Sequence, residues 1–276
     1  MNFLVQQQPA FVKLNGESID STKPSVVLIH GAANSHHTWD GVVEKMSCMS
    51  CTTHNILAID LPGHGATFAE AKTCIEGYAD WVINLLDNGA INHATLVGHS
   101  MGSLIALDCA KRYQARVSSL ILIGAATPMP VADKVLALAD EDVEAAYELV
   151  TRASFYLPKN ADGSWPEPNE MMKNYRQALS QNHPRTLAKD MRRCHDYAID
   201  HTVLSAINTP TLVVIGEKDR MTTMDAGLAV SQQLVNATHV LLPNVGHLMM
   251  LEAFEDVAQL IVAHLGESYR PLSPQS

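Results

Sequence analysis

Short apolar runs recur along the chain and are separated by longer stretches with helical periodicity. Several of these runs are apolar at nearly every position, which is typical of strands covered on both faces of a mostly parallel sheet. In Ile75–Leu86 apolar residues recur every three or four positions, so one helix face can pack on such a sheet. The predicted strands are Ser25–His30, Asn55–Ile59, Ala94–Gly98, Ser119–Gly124, Thr211–Gly216 and His239–Leu242. The alternation predicts a doubly wound α/β fold with right-handed crossovers.

The alternation of strands and helices stops after Pro130 and resumes near Pro210. The residues between them carry helical patterns over Asp133–Val150, Glu170–Gln181 and Arg185–Ile199. We therefore predict an α/β core made of residues 1–130 and 206–276, with a helical cap over residues 131–205.

The two ends of the chain have weaker patterns. The first 24 residues suggest a hairpin at the sheet edge that turns around Asn15-Gly16, because Asn-Gly favours tight hairpin turns. The final residues, Arg270–Ser276, contain two prolines and two serines and are expected to be frayed.

The segment Gly98-His99-Ser100-Met101-Gly102 carries the main chemical signal. It follows a predicted strand and opens a predicted helix, which is the context that the G-x-S-x-G motif requires. The serine of this motif lies on a tight turn that strains its backbone, and the glycines let neighbouring chain pass closely. Ser100 is therefore the predicted nucleophile.

A serine hydroxyl needs an adjacent base, and the base needs a carboxylate that fixes its tautomer. His247 follows the strand ending at Leu242, and Asp219 follows the strand ending at Gly216. We predict that His247 is the base and that Asp219 orients it, with Glu217 and Asp225 as rival carboxylates. The order Ser, Asp, His along the chain is the order expected for this fold.

An oxyanion formed from the substrate would need hydrogen-bond donors. The amide of Met101, directly after the nucleophile, is one predicted donor. The second is expected from the loop after the first core strand, where the chain reads His30-Gly31-Ala32-Ala33-Asn34. We assign it to the amide of Ala32, with Ala33 as the alternative.

These segments together resemble the α/β-hydrolase superfamily with a helical cap, the group of esterases, carbon–carbon bond hydrolases and cofactor-free haloperoxidases. The matching segments are His30-Gly31, Asp60-Leu61-Pro62-Gly63-His64-Gly65, Gly98–Gly102, Gly216–Asp219, and Gly246-His247 followed by Leu251-Glu252. The serine nucleophile separates the chain from epoxide hydrolases and haloalkane dehalogenases, which have aspartate there. The loop after His30 lacks the longer glycine-proline form typical of ring-fission-product hydrolases.

Other residues near these strand ends have a structural interpretation beside a functional one. His30, His99, Met129, Met221 and Met249 are candidate pocket residues, although a structural role for the histidines and core packing for the methionines are the favoured interpretations. Flexible thioether chains would suit an adaptable acyl pocket. Farther away, His64 is expected to stabilise its own turn. His36-His37 and the basic residues Lys189, Arg192 and Arg193 are expected to face solvent.

Composition narrows the class of protein. The formal net charge is −10, and an acidic surface disfavours binding to nucleic acid or to anionic membranes. No apolar run is long enough for a spanning helix, and the first residues do not resemble a signal peptide. Five scattered cysteines suggest free thiols and a cytoplasmic location. Cys48, Cys51 and His54 supply only three potential ligands, so no metal site is predicted.

The combined expectation is a serine hydrolase that cleaves a small or medium carboxylic ester through an acyl-enzyme on Ser100, with no metal or organic cofactor. Two alternatives stay open. One is a carbon–carbon bond hydrolase acting on a vinylogous diketone acid. The other is a catalytically silent ligand-binding protein on the same scaffold. Neither the native substrate nor the oligomeric state can be inferred from the sequence.

Overall fold

Eight strands form one mixed sheet in the part of the chain that the computed structural model describes, residues 2–49 and 53–266. The spatial order is β1-β2-β4-β3-β5-β6-β7-β8. The strands are β1 Asn2–Val5, β2 Gln8–Leu14, β3 Ser25–Ile29, β4 Asn55–Ile59, β5 Ala94–His99, β6 Val117–Ile123, β7 Thr211–Gly216 and β8 Ala237–Leu242. From β4 to β8 all neighbouring strands are parallel, whereas β1 and β2 are antiparallel additions at one edge. The predicted α/β fold is confirmed.

Helices cover both faces of the sheet and fill the connection between β6 and β7. Those of the α/β part are α1 Asp40–Cys48, α2 Ile75–Asn88, α3 Met101–Arg112, α9 Met224–Gln233, α10 Met249–Glu252 and α11 Phe254–His264. Those between β6 and β7 are α4 Asp133–Glu141, α5 Val143–Ser154, α6 Glu170–Ser180, α7 Thr186–Asp196 and α8 His201–Leu204. Residues 131–205 are called the cap segment below. Within residues 2–49 and 53–266, no helix is long and apolar enough to cross a membrane.

The central strands are buried along their whole length, as their apolar runs predict. Every residue of β3, β4, β5 and β7 is buried, and their apolar side chains belong to one hydrophobic core. The edge strand β8 has mostly exposed or half-buried residues, because no strand among the described residues pairs with its outer side. The core therefore lies between the central sheet and the helices on its two faces.

Two local predictions were wrong. The N-terminal hairpin turns at Gln6-Gln7, and both glutamines have positive φ (51° and 65°). Asn15, the site of the predicted turn, instead connects the end of β2 to β4: its side chain accepts a hydrogen bond from the amide of Ile56. The helix predicted over Asp133–Val150 is interrupted at Asp142, whose side chain caps α5 by accepting from the amide of Ala145.

The strand order reverses direction at β3, which lies between β4 and β5. Such a switch point opens a crevice at the carboxyl ends of the strands, where ligands bind in open α/β sheets. Ile29 pairs with Gly98 at these ends, so the loops that follow β3 and β5 lie side by side. The predicted nucleophile and the predicted oxyanion loop therefore share this crevice.

Candidate active site

Ser100 connects β5 to α3 through a strained turn. Its φ is +52° and its ψ is −117°, a conformation that a residue with a Cβ rarely adopts. A Cβ on Gly98 would lie 2.2 Å from the carbonyl oxygen of Gly102, and one on Gly102 would lie 2.3 Å from that of Ile29. Only glycine fits at both positions, so the motif is explained by close backbone packing.

The main chain of Ser100 is held on both sides. Its amide donates to the carbonyl oxygen of Ile123 at 2.9 Å, and its carbonyl oxygen accepts from Ser103 Oγ at 2.6 Å. The side chain is different, because Ser100 Oγ forms no hydrogen bond within the described residues. A serine–histidine bond of a triad is therefore not made in this structure. In proteins without bound substrate such bonds are often long and tighten on binding.

Asp219 and His247 form the pair that the sequence predicts. Asp219 Oδ2 accepts from His247 Nδ1 at 2.8 Å, so the neutral imidazole keeps its lone pair on Nε2, as a base requires. Thr222 was not predicted. Its Oγ1 donates to the same carboxylate oxygen at 2.7 Å and lies 3.2 Å from His247 Nδ1.

The other carboxylate oxygen, Asp219 Oδ1, accepts from the amides of Met221 and Thr222 at 2.8 and 2.9 Å. Burial by itself raises the pKa of Asp219. The charge of a protonated His247 and the hydrogen bonds from His247 and Thr222 outweigh it and hold the pKa below its usual range. The carboxylate is thus kept ionised beside the imidazole.

The rival carboxylates lie elsewhere. Glu217 accepts from the amide of Asn244 and pairs with Lys218, at an exposed position. Asp225 is exposed in the first turn of α9. Of the three candidates, only Asp219 is hydrogen-bonded to His247.

The loop that carries His247 is held by contacts from two directions. The amide of His247 donates to the carbonyl oxygen of Ser154, in the cap segment, at 2.7 Å. Its carbonyl oxygen accepts from His99 Nε2 at 3.0 Å, and the two imidazole centroids are 4.6 Å apart. Because His99 is adjacent to Ser100 in sequence, this bond connects the turn at Ser100 to the loop that carries His247.

The loop after β3 lies against Ser100. A Cβ on Gly31 would lie 2.9 Å from His99 Nδ1 and 3.2 Å from Ser100 Cβ. The amides of Ala32 and Met101 make no hydrogen bond within residues 2–49 and 53–266, so both are available to an incoming oxygen. The amide of Ala33, the alternative donor, is occupied because it donates to Asp190 Oδ2 at 2.9 Å.

A cavity of about 210 Å³ lies beside Ser100. Ala32 and Thr222 contribute to its wall, so the loop after β3 and the threonine that donates to Asp219 border the same space as the serine. The remaining wall is apolar apart from Arg220: Met129, Pro130, Val131, Ala132, Val135, Leu149, Val150, Ala153, Met191, Cys194 and Met221. Most of these residues belong to the cap segment.

The predicted pocket residues divide into two groups. Met129 and Met221 line the cavity. Met249, His30 and His99 do not, and each is buried with at most 1% of its surface exposed. Met249 is core filling, and His30 is a structural residue that donates from Nδ1 to the Gly31 carbonyl oxygen and accepts from the Leu61 amide at Nε2.

Two predictions of solvated residues were wrong. His36 is buried against Asp60, which accepts from both its amide and its Nδ1. Arg193 is buried and donates to Asp190 Oδ1 at 2.6 Å. His64 does stabilise its own turn by donating to the Pro62 carbonyl oxygen, but its Nε2 also contacts Asp190 at 2.7 Å.

No cluster of three or more metal-binding side chains occurs among the described residues. Cys51, one member of the Cys48, Cys51, His54 group, lies outside them. Cys48, Cys74, Cys109 and Cys194 are free thiols.

Comparison with known proteins identifies the family of the chain. The model of the alpha/beta hydrolase fold family matches residues 24–254, and the chain therefore belongs to the α/β-hydrolase fold family. A 2-hydroxy-6-oxononadienedioate/2-hydroxy-6-oxononatrienedioate hydrolase from Paraburkholderia phymatum is 26% identical over 264 residues, covering 89% of this chain and 88% of that protein. A pimeloyl-(acyl-carrier protein) methyl ester esterase from Chromobacterium violaceum is 28% identical over 250 residues, covering 88% of this chain and 94% of that protein.

Solved structures share the fold. A thermophilic esterase from Thermogutta terrifontis superposes with a TM-score of 0.80 at 21% identity, covering 98% of this chain and 99% of that chain. The enol-lactonase from Burkholderia xenovorans superposes with a TM-score of 0.80 at 22% identity, covering 97% of this chain and 100% of that chain. At this identity the likeness concerns the architecture alone.

Proposed function

We propose that this protein is a serine hydrolase that cleaves a small or medium carboxylic ester through an acyl-enzyme on Ser100. The observation that carries the proposal is the hydrogen-bonded Asp219–His247 pair, whose loop is joined through His99 to the turn that holds Ser100 at φ +52°. A serine on a strained turn together with an ionised carboxylate–histidine pair is the arrangement that activates a hydroxyl.

In the proposed reaction, His247 Nε2 takes the proton from Ser100 Oγ as the oxygen attacks the ester carbonyl carbon. The carbonyl oxygen becomes negative and accepts from the amides of Ala32 and Met101, and each such donor contributes about 10²–10³ in rate. The protonated histidine then gives its proton to the leaving alcohol. Water, activated by the same histidine, hydrolyses the acyl-enzyme and restores the serine.

The cavity supports a neutral, mainly apolar acyl group. Its wall is formed by aliphatic and thioether side chains, with Arg220 as its one charged residue among those described. A volume of about 210 Å³ suits a small or medium acyl group. Met129, Met191 and Met221 make part of this wall adaptable in shape.

The decisive experiment is covalent labelling with a fluorophosphonate probe, combined with p-nitrophenyl acetate hydrolysis. We expect wild-type protein to be labelled on Ser100 and Ser100→Ala to lose labelling and at least about 10⁴-fold in kcat. Ser180→Ala is the matched control, because it removes an exposed serine of α6 that does not line the cavity and should retain labelling. A wild-type protein that resists the probe and hydrolyses no ester would instead support a silent ligand-binding role.

A second candidate is a carbon–carbon bond hydrolase acting on a vinylogous diketone acid. The observation that favours it is the 26% identity, over most of both chains, to a protein named as a hydrolase of 2-hydroxy-6-oxononadienedioate. Such substrates are coloured, so their cleavage can be followed by loss of absorbance. Comparing kcat/KM for such a compound and for p-nitrophenyl esters on the same protein separates the two reactions.

A further inference from the structure

The oxyanion loop contains an alanine in a left-handed conformation. Ala33 has φ +52° and is 1% exposed. The amide of Asn34 donates to the carbonyl oxygen of Gly31 at 3.3 Å, so residues 31–34 form a tight turn with Ala33 at its third position. A positive φ at that position normally selects glycine or asparagine. An alanine there needs outside contacts to hold it, because its Cβ disfavours this conformation.

The cap segment supplies those contacts on both sides of Ala33. Asp190 Oδ2, on α7, accepts from the Ala33 amide at 2.9 Å. Asn182, in the loop before α7, donates from Nδ2 to the Ala33 carbonyl oxygen at 2.7 Å. Both peptide groups of the strained alanine are therefore bonded to side chains of the cap segment.

Asp190 is itself fixed in a buried cluster of charges. It is fully buried, and it accepts from Arg193 as well as from Ala33 and His64. His64 faces acceptors with both ring nitrogens, the Pro62 carbonyl oxygen at 3.0 Å and Asp190 at 2.7 Å, so its ring carries both protons. Burial disfavours the charged forms, but the mutual attraction of the pair lowers the pKa of Asp190 and raises that of His64. A carboxylate held in this way is a rigid acceptor.

We propose that Asp190 is a positioning residue for the oxyanion hole: its buried carboxylate, on the cap segment, holds the Gly31–Asn34 turn in the conformation that places the Ala32 amide beside Ser100. This inference rests on the proposed function, since it concerns the oxyanion of the same reaction. Ala32 directly precedes Ala33, whose amide donates to Asp190. The amide of Ala32 itself has no acceptor among the described residues. When the carboxylate is removed, Ala33 relaxes and the Ala32 amide moves. Misplacing a catalytic group by about 1 Å can cost about 10²-fold in rate.

Asp190→Ala tests the proposal. Ala33 and His64 both donate to Oδ2, so an asparagine could keep both bonds with its one amide oxygen, whereas alanine removes the acceptor altogether. We expect kcat for p-nitrophenyl acetate to fall about tenfold to a hundredfold, with KM changed less than about threefold, because the lost contact acts on the transition state. Arg193→Gln is the matched control. It disturbs the same buried cluster without touching Ala33, so it should lower the melting temperature but keep kcat within about threefold of wild type.

A kcat for Asp190→Ala that falls no further than that of Arg193→Gln would overturn the proposal, because both variants would then act only through stability. If Asp190→Ala does not fold, Asn182→Ala decides, since Asn182 is only half-buried and donates to the carbonyl oxygen of Ala33. A lower kcat at constant KM supports the proposal, and an unchanged kcat contradicts it. Failure of the proposed function is recognised separately, because wild-type protein itself would then resist the fluorophosphonate probe.

Discussion

His99 Nε2 donates a hydrogen bond to the main-chain carbonyl oxygen of His247 at 3.0 Å. His99 directly precedes Ser100, the proposed nucleophile. His99 is buried, and its Nδ1 has no hydrogen-bond partner within the described residues. Burial and the neighbouring His247 hold the pKa of His99 well below its usual range, so the ring is a neutral donor. The bond fixes the loop that carries the proposed base.

The first prediction concerns this bond. In His99→Leu the His247 carbonyl oxygen loses its donor, and we expect kcat to fall about tenfold as the base becomes less well placed. His99→Gln keeps an N–H donor on a side chain of similar reach and should retain most of the activity. Steady-state hydrolysis of p-nitrophenyl acetate by both variants measures this. Equal losses in the two would show that the ring volume matters and the hydrogen bond does not.

The second prediction tests whether Asp219 or Glu217 is the carboxylate that orients His247. Asp219→Asn replaces the carboxylate that accepts from His247 Nδ1, so the imidazole loses the partner that keeps its lone pair on Nε2. We expect kcat to fall about 10⁴-fold with the fold intact. Glu217→Gln changes the exposed carboxylate two residues earlier and should leave kcat unchanged. Circular dichroism checks the folding of both. If Glu217→Gln proved the more damaging, our choice of carboxylate would be wrong.

The third prediction concerns acyl specificity. Met129 lines the cavity beside Ser100, whereas Met249 is packed in the core away from it. Met129→Glu places a charge in an apolar wall, so kcat/KM for a hexanoate ester should fall at least about tenfold more than that for an acetate ester. Met249→Leu should leave the ratio of the two esters unchanged. The measurement is kcat/KM for a series of p-nitrophenyl esters. An equal loss for short and long esters would argue against an acyl pocket at Met129.

The fourth prediction is a pH dependence of stability that arises at His30. The Nε2 atom of His30 accepts from the Leu61 amide. A proton on Nε2 would therefore face the N–H of Leu61, and the hydrogen bond would be lost. Burial and the nearby charge of His64 lower the pKa of His30 from 6.5 to about 4 in the folded protein. The unfolded chain therefore binds a proton first as the pH falls below about 6.5, and stability is lost between about pH 6.5 and pH 4.

His30→Gln removes this contribution. Between pH 7 and pH 5 the free energy of unfolding of wild type should fall by about 2 kcal/mol more than that of the variant. The raised pKa of His64 does not interfere, because its contribution is lost only as the pH rises above 6.5. Urea unfolding at the two pH values measures the difference, with the exposed His183→Gln as control. A wild type and variant with parallel pH profiles would exclude His30 as the source.

Local sequence determined the elements that carry the chemistry. The apolar runs predicted the central strands to within two residues, because strands covered on both faces have few acceptable polar positions. The G-x-S-x-G segment predicted the strained turn at Ser100, because only glycine tolerates the backbone contacts at residues 98 and 102. The position of the N-terminal turn was predicted wrongly, because two consecutive glutamines are not a typical residue pair for two positive φ values, as Gln6-Gln7 has.

Only the tertiary structure decided which distant side chains meet. Nothing in the local patterns pairs Asp190 with His64 and Ala33, or buries His36 and Arg193, because a charged residue becomes buried only where the fold brings a partner to it. The same holds for Thr222 beside His247, and for the division of the methionines between cavity and core. Sequence specifies the chemistry of each loop, whereas the distances between loops follow from how the sheet, the helices and the cap segment pack together.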